Sequence, residues 1–131
     1  MLIVDGHLDL AMNALQNNRN LLVDVWTTRA RESHDTGKGK GKGTVALPEM
    51  RQGRIALCFT TVFALCTTGR TIPHFDFDSP TQSYAIARAQ LSYYEALQRE
   101  GHVRIVTSLD QLKSHMKDWT QWDSSPADNP G

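Results

Sequence analysis

His7 and Asp9 are separated by one residue, so in an extended strand their side chains project to the same face. An imidazole nitrogen beside a carboxylate oxygen suits a borderline metal such as zinc, which binds these donors at about 2.0 to 2.2 Å. The pair directly follows the apolar run Met1-Leu2-Ile3-Val4 and its Asp5-Gly6 step, which reads as a strand buried on both faces and ending in a turn. In α/β proteins with parallel strands, functional groups gather at the carboxyl ends of the strands. The same pattern recurs at His74-Phe75-Asp76, so spacing alone does not single out a ligand pair. The structural reading of the first pair has Asp9 capping the next turn and His7 as a hydrogen-bonded histidine. His74 and Asp76, close to Pro73 and Pro80, read as solvated loop charges or as groups at the mouth of a site.

The elements that must position such a pair follow from the rest of the 131 residues. Leu10-Ala11-Met12-Asn13-Ala14-Leu15 allows one or two helical turns before Asn17-Asn18-Arg19-Asn20 breaks the pattern. Thr27 to Gly43 is polar, and the alternating glycines and lysines from Gly37 to Gly43 predict a mobile loop over about 35–43. Lys38, Lys40 and Lys42 on that spacer read as solvated, with anion binding as the functional alternative. After a short turn or helix around Leu47-Pro48, the run from Ile55 to Leu65 predicts a central strand. Ser79-Pro80-Thr81-Gln82 carries a helix start, and Tyr84, Ala87, Leu91 and Tyr94 then form one apolar face that ends at Gly101. Val103 to Thr107 reads as a further strand. Ser108-Leu109-Asp110-Gln111 repeats the capping pattern ahead of a stripe at Leu112, Met116 and Trp119. Residues 123–131 form an irregular tail. The alternation of strand and helix predicts an α/β fold with parallel strands.

Composition narrows the function classes. Fourteen Lys and Arg balance 14 Asp and Glu, which argues against a nucleic-acid partner. Trp26, Trp119 and Trp122 are scattered and read as core or interface packing rather than a base-stacking platform. No apolar run approaches the roughly 18 residues of a membrane span, and Asp5 comes too early for a secretory leader. Cys58 and Cys66 would lie roughly 26 Å apart along one extended strand, too far to bridge. Unpaired cysteines of this kind fit a reducing, cytoplasmic setting.

Val4-Asp5-Gly6-His7-Leu8-Asp9-Leu10 resembles the N-terminal zinc motif of the renal (membrane) dipeptidase family, metallopeptidases of the amidohydrolase superfamily whose opening strand carries Asp-Gly-His-x-Asp-Leu. A second block, Gly43 to Cys58, is similar to the family stretch in which a Leu-Pro-x-x-x-x-Gly-x-Val segment leads into the second barrel strand. The likeness covers most of residues 2–113 and is weaker after Pro80. It implies a (β/α)8 TIM-type barrel holding two zinc ions, with His7 and Asp9 as ligands of one of them. A later glutamate would bridge the ions, and two later histidines would complete the second. The implied activity is zinc-dependent hydrolysis of dipeptides by metal-assisted water activation and carbonyl polarisation.

The chain departs from that pattern in its later part. No Glu-Gly pair of the bridging kind follows position 110, Glu100-Gly101 is better read as a helix end, and His115 falls on a helix. No catalytic residue beyond the two ligands is identified. Residues 1–131 would supply about three of the eight βα units, an incomplete N-terminal part of the domain. Such a part would expose a sheet edge, need another copy or a complementing chain to cover it, and turn over little dipeptide alone. Two alternatives stand beside this reading. Another metal-dependent amidohydrolase or phosphoesterase would carry His-x-His after the first strand, and Asp9 counts against it. A non-catalytic α/β interaction module would use His7 and Asp9 structurally.

Overall fold

The computed structural model describes residues 2–37, 39–67 and 74–124. It is a mixed α/β structure in which two strands pair in parallel and helices pack around them. The order is β1 (Ile3–Leu8), α1 (Leu10–Gln16), α2 (Val25–Arg31), α3 (Leu47–Gln52), β2 (Ile55–Thr60), α4 (Pro80–Arg99) and α5 (Leu109–Asp123). The core gathers Leu10, Ala11 and Ala14 of α1, Leu21, Leu47 and Met50 near α3, and Tyr94 and Leu97 of α4. Ile55 and Cys58 of β2 pack against this cluster.

Local chemistry sets the helix ends. The Ser79 side chain accepts from the Gln82 amide, and Pro80 occupies the first turn of α4, where its missing N–H costs no helix bond. At the other end Gly101 has φ +79°, the Gly101 N–H reaches the Gln98 carbonyl, and the His102 N–H reaches the Leu97 carbonyl. That pair of bonds is the glycine-dependent helix stop expected at Glu100-Gly101. Ser108 caps α5 in the same way as Ser79 caps α4, accepting from Gln111 N.

Several sequence expectations change. The strand from Ile55 ends at Thr60 rather than Leu65. Beyond it the buried Gln90 side chain takes both backbone groups of Phe63, accepting from its N–H and donating to its carbonyl, each at 2.6 Å. A side chain thus occupies the groups a sheet ladder would use. Leu65 then makes an isolated parallel bridge with Asp76.

Residues 103–107 form no strand; the Ile105 N–H instead donates to the Gln98 side chain at 2.7 Å. Among the described residues β2 therefore pairs only with β1, and a cleft of about 1390 Å³ opens between β2, α4, the 103–109 segment and α5. β1 is not buried on both sides either, and its Val4 is 47% exposed.

α2 is a helix the sequence reading did not expect, and it runs into the polar stretch that begins at Thr27. Asp24 caps it by accepting from Thr27 N, Val25 is its one buried residue, and Trp26 lies exposed beneath the Arg29 guanidinium at 4.9 Å instead of packing in the core. The apolar stripe of α4 also shifts. Tyr84 is exposed, and the deepest positions are Gln90, Tyr94 and Leu97.

The Gly-Lys loop makes specific contacts. Arg19 forms a bidentate pair with Glu32, donating through Nε at 2.8 Å and Nη2 at 3.0 Å, and Nη2 also reaches the Gly39 carbonyl. The Gly41 N–H donates to Glu32 as well. Lys40 donates to the Asn17 carbonyl and lies near Glu32 and Asp35, so it is engaged within the protein rather than open to an external anion. Lys38, Pro73 and residues 125–131 of the expected tail lie outside the described residues, and Asp123 belongs to α5. No helix among the described residues is long and apolar enough to cross a membrane.

Candidate metal centre

Strand β1 delivers its last residues to the start of α1. Its register with β2 runs Asp5 to Cys58 and Leu8 to Thr60, so three steps on β1 oppose two on β2. The extra residue falls at Gly6-His7, a bulge of the kind that re-aims side chains beside functional sites. The His7 amide donates to Asp5 Oδ1 at 2.9 Å, which holds the bulged backbone. His7 Nε2 then comes to 3.4 Å from Asp9 Oδ1, with the imidazole 72% and the carboxylate 30% exposed. The same-face placement expected from the spacing is present, and solvent reaches both groups.

Asp9 sits at the N-cap position of α1, yet its side chain makes no capping bond. Its carbonyl accepts from the Asn13 amide and the Asn13 side chain. The carboxylate turns instead toward the end of β2, where Oδ1 accepts from the Thr61 hydroxyl. Oδ2 accepts no hydrogen bond from the described residues. The reading in which Asp9 caps the following turn is thereby replaced by one in which it bridges Thr61 and His7.

Hydrogen bonds cross-link this end of the sheet to its neighbours. The Thr61 N–H donates to the Leu8 carbonyl at 3.0 Å, extending the β1–β2 contact one residue past β2. The Tyr94 hydroxyl donates to the Thr61 carbonyl at 2.9 Å and accepts from the Ala11 amide at 3.0 Å. Burial pushes the Tyr94 hydroxyl above its ordinary pKa, so it stays protonated and able to donate. Burial likewise raises the Cys58 thiol, with Asp5 adding to the effect. Cys58 and Cys66 are both free thiols.

The separation of 3.4 Å matches the edge of a tetrahedral zinc site, where two donors each about 2.1 Å from the metal lie about 3.4 Å apart. The donor types and their spacing fit two positions of such a site. Among the described residues no group of three or more His, Cys, Asp or Glu side chains could hold a metal ion, so a metal bound by this pair would need further ligands from elsewhere.

The second His-x-Asp pattern differs from the expected pair of solvated loop charges. Asp76 is buried rather than solvated, and it accepts from both the amide and the hydroxyl of Thr67, whose bonds hold its carboxyl below the usual range. The His74 carbonyl accepts from Gln16 at 2.6 Å, with His74 itself at φ +69°. His115, placed on a helix as expected, meets the Ala56 carbonyl at 2.7 Å through Nε2. Thr61 and Tyr94 escaped the sequence reading: a strand-interior threonine and a helix-face tyrosine carry no pattern that ties them to Asp9. No protein-family model matches the chain, and neither a curated protein nor a solved structure does.

Proposed function

We propose that His7 and Asp9 form one side of a divalent-metal centre, zinc being the metal their donor types suit best, in a protein of the metal-dependent dipeptidase kind. The observation that carries this reading is the approach of His7 Nε2 to 3.4 Å from Asp9 Oδ1 at the carboxyl end of β1. The likeness of Val4 to Leu10 to the dipeptidase zinc motif supplies the substrate class, a short peptide. Bound zinc would supply Lewis acidity for polarising a peptide carbonyl and acidifying water.

The chain's own contributions are more limited. His7 offers an imidazole nitrogen from an exposed bulge, Asp9 offers a carboxylate whose direction is fixed from the end of β2, and the bulge keeps both on one face. Two protein donors leave a zinc ion with open positions and modest affinity. The remaining ligands in this reading come from a further segment or a second chain covering the cleft beside β2. The described residues alone should therefore hydrolyse dipeptides slowly or not at all. This reading is compatible with a (β/α)8 arrangement, of which β1, β2 and their helices would be the opening part.

A second reading is favoured by the lack of a third donor among the described residues: an α/β interaction module in which the His7–Asp9 pair is structural. Zinc titration of the protein, of His7→Ala and of Asp9→Asn, with hydrolysis of a simple dipeptide followed alongside, separates the two. The metal reading expects zinc binding that both substitutions abolish. Zinc binding indifferent to both, or none, favours the module.

A further inference from the structure

We infer that Thr61 is the positioning residue of this centre, fixing the Asp9 carboxylate so that Oδ1, the oxygen that faces His7, keeps its second lone pair directed toward a cation. The inference rests on the metal reading of His7 and Asp9 and adds a residue from a different element. The Thr61 hydroxyl donates to Asp9 Oδ1, the oxygen that faces His7, while Oδ2 takes no hydrogen bond from the described residues. A carboxylate oxygen that accepts from a neutral donor keeps its negative charge and a second lone pair, whose direction that bond sets. This is how partners outside the coordination sphere orient metal-binding carboxylates.

Thr61 is itself held on both sides. Its N–H is bonded to the Leu8 carbonyl at 3.0 Å, and its carbonyl receives the Tyr94 hydroxyl at 2.9 Å. The branched Cβ of threonine restricts χ1, so a fixed backbone fixes the hydroxyl. The same Tyr94 oxygen accepts from Ala11 N, two residues beyond Asp9. The donor on the β2 side and the acceptor at the start of α1 are thus referenced to one buried phenol. A purely structural threonine at a strand end needs only its backbone bonds, and the contact of its hydroxyl with the Leu8 carbonyl is longer, at 3.4 Å.

The test is zinc affinity, read by competition with a chromophoric chelator, for the full chain and for Thr61→Val, Thr61→Ala, Thr61→Ser and Asp9→Asn. Loss of the hydroxyl should weaken zinc binding about tenfold or more, as loss of such an orienting partner does, while serine should restore affinity to within about twofold. Should the valine variant fail to fold, as circular dichroism would show, the alanine variant carries the comparison. Valine or alanine binding zinc as tightly as the parent, with Asp9→Asn still abolishing binding, overturns the role of Thr61 and leaves the metal reading intact. Equal binding by the parent and Asp9→Asn, or no binding by the parent, overturns both.

Discussion

The Tyr94 hydroxyl donates to the Thr61 carbonyl at 2.9 Å, joining α4 to the residue just past β2 across 33 positions of sequence. With the Ala11 amide donating to the same oxygen, one buried side chain ties three elements together at the candidate site. Removing it should therefore affect both stability and the geometry around Asp9.

Tyr94→Phe strips two hydrogen-bond partners at a site where Tyr94 is only 6% exposed, leaving the Thr61 carbonyl and the Ala11 amide without their partner. The expected cost is about 1 to 3 kcal/mol, measured by urea denaturation. An unchanged unfolding midpoint would show that water replaces the phenol freely.

Leu10 and Leu97 are 2% and 3% exposed within the main cluster. Truncating either to alanine should cost about 2 to 5 kcal/mol through lost burial and the cavity left behind. The same substitution at Leu109, which is 63% exposed, should change stability by less than about 0.5 kcal/mol. Thermal denaturation of the three variants checks the contrast.

The ends of α4 allow two smaller tests. Ser79→Ala removes the acceptor of the Gln82 amide and should cost about 1 kcal/mol. Gly101→Ala places a side chain at φ +79°, in space that is otherwise open, so its cost of about 1 to 2 kcal/mol is conformational rather than steric. A neutral Gly101→Ala variant would contradict the helix stop described for that end.

Arg19, by its hydrogen bonds, holds the Glu32 carboxyl below its ordinary value of 4.5. The folded state thus binds that proton less readily than the unfolded chain. The pair's stabilisation is complete above about pH 4.5 and is lost as pH falls through the lower folded-state value. Arg19→Met should be less stable at neutral pH and should lose less further stability on acidification. Parallel pH profiles for the two proteins would contradict this.

The parts of the fold legible in the sequence were those written in local signals. Ser79-Pro80 and Ser108 announce helix starts through chemistry that needs no tertiary partner, and Gly101 announces a stop through a backbone angle that glycine tolerates best. The illegible parts depend on distant side chains. Gln90 ends the usefulness of Phe63 to a sheet, and Gln98 takes the amide of Ile105, yet neither glutamine differs in sequence from a solvated one. α2 has a single buried residue and so no periodicity to read. At the site, the i, i+2 spacing of His7 and Asp9 gave the shared face, whereas Thr61 is 52 positions from Asp9 and comes beside it only through parallel pairing of β1 with β2.

Imidazole resonances of isotope-labelled protein, followed through a zinc titration, test the central claim most directly, because each of the five histidines reports separately. The ring signals of His7 should move first and saturably, while those of His74 and His115 stay in place, and Asp9→Asn should abolish the response. Signals that shift uniformly, at other histidines first, or not at all would contradict a metal centre built on His7 and Asp9.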